Sequence, residues 1–163
     1  MRHGFVRTLC FVMLLAAVSF AARAQGGPGC SYRRVAGDWG YTKTGTLFLP
    51  SGPTPFATVG TFTLETNGTL SGINNGSVGG TVSRDVLSGT FAVNSDCTGT
   101  TTVGVYSEEG ALLRTIEMAL VFDDDVHQVR GLVTRLELPN GVILKSVITA
   151  EAKKMLGFRS DER

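Results

Sequence analysis

Any chemistry in this chain has to be built from few reactive side chains. Beyond residue 24 the single histidine is His127, and the two cysteines are Cys30 and Cys97. A serine or cysteine nucleophile needs a base to take its proton, so either mechanism would depend on His127. That residue follows the acidic run Asp123-Asp124-Asp125, and no Gly-x-Ser-x-Gly elbow occurs in the chain. It reads as an exposed strand residue, and no catalytic residue is assigned. Zinc would need three or four converging nitrogen or sulfur ligands, which two cysteines and one histidine do not supply. The three consecutive aspartates lack the alternating spacing of a calcium loop and read as a solvated hairpin tip. The glycine-rich stretch 76–80 has neither the lysine nor the following helix of a phosphate loop. No metal and no cofactor is implied. Glu117 has Arg114, Arg130 and Arg135 on its own and the neighbouring strand, and strand parity puts it opposite Met118 and Leu120. It therefore reads as one half of a surface ion pair.

The segment ahead of these residues sets their compartment. Arg2 and Arg7 precede an almost wholly apolar run over 8–21, and Ala22-Arg23-Ala24 forms a small-x-small cleavage site. Residues 1–24 thus read as a secretory signal peptide, with the protein periplasmic or secreted. Cleavage would remove Cys10 and leave Cys30 and Cys97 as an even pair in an oxidising compartment, where a structural disulfide is expected. It would also remove three of the 15 basic residues and none of the 14 acidic ones. The slightly acidic remainder argues against nucleic acid, whose binding rests on clustered cations. No second apolar run of membrane length follows, so the mature domain is expected to be soluble.

The positioning elements are strands. Segments near 36–48, 56–65, 69–78, 86–93, 98–106, 112–122, 126–138 and 142–152 alternate or are apolar, with turn residues between them. Asn67-Gly68 suggests a primed two-residue hairpin. The prolines of 50–55 suggest a connection outside the sheet. About eight strands joined by short hairpins point to a closed antiparallel up-and-down barrel, because closure removes both exposed edges. A two-sheet β-sandwich is the alternative. Domain bounds follow: an irregular arm over 25–35, a barrel over 36–153 and a tail over 154–163. The one plausible helix lies at 151–158.

Alternation also names a lumen. Phe62, Phe91, Met118, Leu120, Leu132 and Leu136 each lie on the more apolar face of a strand and are expected to line a site for a small apolar ligand. The run 118–122 is apolar on both faces, so its outer side calls for cover by a second copy or by the tail.

Two resemblances bear on this reading. Gly37-Asp38-Trp39 resembles the Gly-x-Trp signature of lipocalins, whose tryptophan closes the barrel against a basic residue from a late strand. That implies Arg130, Arg135 or Lys145 as the partner. More of the chain, including 40–47, Val59-Gly60-Thr61-Phe62, Ser88-Gly89-Thr90-Phe91, 93–99 and Leu120-Val121-Phe122, resembles a group of exported bacterial proteins of unknown function. Their folds look like the calycin-like barrel of allene oxide cyclases and dirigent proteins. The resemblance implies a barrel and export, and carries no catalytic residues. The functional expectation is a binder of a small apolar ligand or a structural or interaction module. The competing class is an isomerase or cyclase that confines a lipid-like substrate.

Overall fold

A computed structural model describes residues 29–123 and 125–155. Residues 1–24, expected to be a signal peptide, and the tail beyond 155 lie outside the described residues. A four-residue helix, α1 (Tyr32–Val35), precedes eight strands: β1 (Gly37–Leu49), β2 (Gly52–Leu64), β3 (Thr69–Val78), β4 (Thr81–Val93), β5 (Thr98–Tyr106), β6 (Leu112–Phe122), β7 (Gln128–Glu137) and β8 (Lys145–Lys154). Each strand pairs with the next, and β8 returns to β1, so the sheet closes into an antiparallel barrel. The arm expected to be irregular contains α1, whose first turn is capped by the Ser31 side chain accepting from the Arg34 amide. The helix expected over 151–158 is not formed where it is described. Residues up to Lys154 continue β8, because pairing with β1 as far as Trp39 satisfies their backbone.

Four of the hairpins share one turn chemistry. Glu65 N–H donates to Thr69 O and Gly68 N–H to Glu65 O, with Gly68 at φ 86°. This is a three-residue loop with one left-handed residue, not the expected two-residue primed turn. The same bonds recur at 107–111 with Gly110 and at 138–142 with Gly141. At 94–98 the left-handed position is Cys97, at φ 66°. A side chain there is strained, and Cys97 is held by its disulfide to Cys30, with Cα atoms 4.9 Å apart.

Two further expectations are corrected. Pro53 and Pro55 lie within β2, paired with Phe48 and Thr46 of β1. Strand pairing of β2 with β3 begins only at Phe56, and beyond it Pro55 O accepts from the Gly79 N–H, so the prolines lie where this edge needs no amide donor from them. In β7 the register shifts by a residue, so Glu117 faces Arg135 while the next residue, Met118, faces Val133. The bulge reverses the alternation. Val129 and Val133 point inward before it and Leu136 after it, whereas Leu132 points out and is 49% exposed. Leu132 is therefore not a lining residue.

The end of the barrel near the disulfide is closed by local structure. Val35, Trp39 and Val126 are essentially inaccessible. The Trp39 indole N–H donates to Val35 O at 3.0 Å, tying β1 to α1. Lys154, from the last strand, sits 5.8 Å from the Trp39 ring centroid and donates to Arg34 O at 2.7 Å. The late-strand cation on the tryptophan is thus Lys154, and not Arg130, Arg135 or Lys145. It wins because it also satisfies a carbonyl at the end of α1.

Candidate functional site: a two-part lumen

Inside the closed end lies a cavity of about 70 Å3. Phe62, Phe91, Met118 and Leu120 are on its wall, and at its floor are Tyr41 and Lys43. Phe62 also stacks on Trp39 at 6.2 Å and tilts against Tyr41 at 5.5 Å, so one aromatic run leads from the plug to the floor. Leu136 is buried but off this wall, and Leu132 is outside the barrel. His127 is exposed, at the turn that Asp123 caps by accepting from the amides of His127 and Gln128. Glu117 is 3.9 Å from Arg135, and Arg135 also meets Glu137 at 2.7 Å, all partly exposed on the outer surface. Among the described residues no group of three or more His, Cys, Asp or Glu is placed to hold a metal ion. No helix among them is long and apolar enough to cross a membrane.

A polar layer lies beyond the cavity floor. Lys43, Thr58, Asn74 and Asp85 are buried, and Arg114 reaches Asp85 with a 2.7 Å charged hydrogen bond. Register assembles them: Lys43 pairs with Thr58 across β1 and β2, and Asn74 with Asp85 across β3 and β4. Gly60 stands between Tyr41 and Asn74 in the same rows. A Cβ there would strike the Ile73 carbonyl and come within 2.9 Å of the Asn74 side chain, so glycine allows the three strands to approach.

This layer is under-bonded. Tyr41 Oη, Thr58 Oγ1, both amide atoms of Asn74, Asp85 Oδ1 and Arg114 Nε are buried without a hydrogen-bond partner. Each such atom costs about 1–3 kcal/mol, so a group of them in one place calls for an explanation. Burial raises the Tyr41 hydroxyl above its ordinary pKa, partly countered by nearby Asn74 and Thr58. Burial also pushes the Lys43 ammonium down to about 8, helped by Arg114 and opposed by Asp85. Lys43 Nζ lies 5.4 Å from the Tyr41 ring centroid, a cation–π contact that offsets part of the lost hydration.

No family model matches the sequence, and no curated protein matches it. Similar solved structures include the redesigned β-barrel mFAP1 bound to DFHBI, at 14% identity and TM-score 0.49, covering 76% of this chain and 98% of that one. Another is a fluorescence-activating β-barrel designed de novo, at 14% identity and TM-score 0.43, covering 76% and 96%. A third is the S-type phycobiliprotein lyase CPES from Guillardia theta, at 9% identity and TM-score 0.43, covering 77% and 91%. At these identities nothing about ligand or activity transfers.

Proposed function

We propose that this protein is an exported binding module that holds a small, mainly apolar molecule in the barrel lumen. The observation that carries this is the cavity wall, where Phe62, Phe91, Met118 and Leu120 face one space above Tyr41 and Lys43. A fully packed barrel interior would leave no such space. Export rests on the signal-like residues 1–24 and is supported by the Cys30–Cys97 disulfide, which persists in oxidising compartments. Within eight-stranded barrels we place the chain beside the allene-oxide-cyclase and dirigent type, on the motifs at 40–47 and 88–91. Self-association belongs to the same reading. Val121 and Leu132 are exposed on adjacent strands, with Ala119 paired to Leu132, and make an apolar strip on the outer wall.

Native mass spectrometry of protein purified from its own host tests the proposal. It should reveal a retained small molecule released on denaturation. Bare protein that also takes up no alkanol in titration would reject it.

The second reading, an isomerase or cyclase, is favoured by one observation: a buried carboxylate and amide, Asp85 and Asn74, lie beneath the cavity. Re-supplying the extracted molecule distinguishes the two. A binding module returns it unchanged, whereas an isomerase converts it.

A further inference from the structure

We propose that the lumen selects amphiphiles with a single anionic head group, a carboxylate above all, seated against Lys43 and Tyr41 at the cavity floor. This rests on the lumen-binding reading and adds the chemical class of the ligand.

The argument is one of charge and donors. Three charged side chains meet in this layer: Lys43, Arg114 and Asp85. Asp85 is already engaged by Arg114 at 2.7 Å. Among the described residues Asp85 is the one carboxylate acting on Lys43, and it is shared with Arg114, so the layer keeps one net positive charge in an interior where Lys43 is 6% exposed. A buried charge is tolerated when paired and hydrogen-bonded, so the missing partner is an anion. Donors point the same way. Lys43 offers three N–H groups, Tyr41 a hydroxyl and Asn74 two amide hydrogens, and the hydroxyl and amide atoms make no well-formed hydrogen bond within the protein, the hydroxyl lying beside Asn74 and Thr58. An ionised carboxylate accepts several such bonds at once. Lys43 and Tyr41 are also the two polar side chains of this layer that reach the cavity wall, at the floor end of the aromatic run from Trp39 through Phe62. An extended ligand would therefore place its chain among Phe62, Phe91 and Met118 with its head on Lys43. A neutral head would leave the ammonium unpaired, and a cationic head would add a second like charge.

Isothermal titration with octanoate, 1-octanol and octylammonium at pH 7 tests this on the wild type and on Lys43→Met. We expect octanoate to bind about tenfold or more tightly than 1-octanol and octylammonium not to bind, since one charge-assisted pair in a dry site is worth at least that factor. Lys43→Met, an unbranched apolar replacement, should lose that advantage, so that octanoate binds it no more tightly than 1-octanol does. Equal binding of octanoate and 1-octanol by the wild type, or unchanged octanoate binding by Lys43→Met, overturns the inference and leaves the lumen reading standing. Absence of binding by all three overturns both.

A second measurement needs no variant. Lys43 is faced by Tyr41 on β1, Thr58 on β2, Asn74 on β3, Asp85 on β4, Arg114 on β6 and Ala150 on β8. Of the two whose titration is displaced, Lys43 loses its proton near pH 8 and Tyr41 only above its ordinary 10.0. Octanoate affinity should accordingly fall by about tenfold or more between pH 7 and pH 10, with 1-octanol unaffected. Octanoate affinity that is flat over this range overturns the inference.

Discussion

Replacing Lys43 by methionine should make the protein more stable, and by an amount that depends on pH. The Lys43 ammonium is held down to about 8 from 10.5 in the folded state, mainly by burial. At about 1.4 kcal/mol per unit, the folded protein carries a penalty of about 3 kcal/mol wherever the lysine is charged in both states. Below pH 8 that penalty is present in full. Between about pH 8 and 10.5 the unfolded chain binds the proton that the folded protein has released, so stability rises with pH. Methionine has nearly the same length and no charge to desolvate. Lys43→Met should therefore exceed the wild type by about 3 kcal/mol at pH 7, with the difference shrinking towards zero by pH 10.5. Tyr41 works in the opposite sense, because its raised pKa keeps a proton in the folded state after the unfolded chain has lost it. That lowers stability above about pH 10 in both proteins and cancels in the difference. The assay is urea unfolding of both proteins at half-unit steps from pH 7 to 10.5. A difference that does not vary with pH, or a variant less stable at pH 7, would refute the placement of a desolvated ammonium in the lumen.

Arg114→Met should destabilise by about 3–5 kcal/mol, because it strands the Asp85 carboxylate, and adding Asp85→Leu should recover much of the loss in the same denaturant assay. Removing the disulfide by Cys30→Ser with Cys97→Ser should cost about 4 kcal/mol in the chain-entropy model for a sequence separation of 67. Thiol labelling of the unreduced, denatured mature protein should find no free cysteine. Leu132→Arg should fold with nearly unchanged stability, whereas Leu136→Arg should fail to give a cooperative unfolding transition, since only the second buries a charge. Light scattering at micromolar concentration should show a dimer or larger, and Val121→Lys with Leu132→Lys should return it to a monomer.

Alternation and turn chemistry made most of the barrel legible. The bounds of β3, β5 and β6 follow directly from where alternation meets Asn-Gly, Asn-Ser-Asp or Glu-Glu-Gly. What local pattern does not carry is where a strand is paired on one side only, or where it slips. Pro53 and Pro55 read as breakers because a sequence does not show that β3 ends at Val78, opposite Phe56, and leaves them outside that ladder. Leu132 shares parity with Leu136 on paper, and the bulge in β7 that separates them is a property of its pairing with β6. The cavity wall at Phe62, Phe91, Met118 and Leu120 follows from parity alone. So, in principle, does the polar layer. Lys43 has the parity of Trp39 and Tyr41, Asp85 that of Leu87 and Phe91, and Arg114 that of Ile116 and Met118. A rule that sends charges outward passes over them, and only the register of β3 with β4 and of β1 with β2 shows that they meet. Likewise, Lys154 as the partner of Trp39 depends on how far β8 runs along β1.

The central claim is that an apolar space lies inside the barrel between the Trp39 plug and the Lys43 floor. A crystal structure determined under xenon pressure tests it most directly, because dry apolar cavities take up this gas with no help from polar contacts. Ordered xenon should lie within van der Waals reach of Phe62, Phe91 and Met118, with none in the polar layer of Asn74 and Asp85. A barrel that admits no xenon, its side chains closed over that space, would contradict the account.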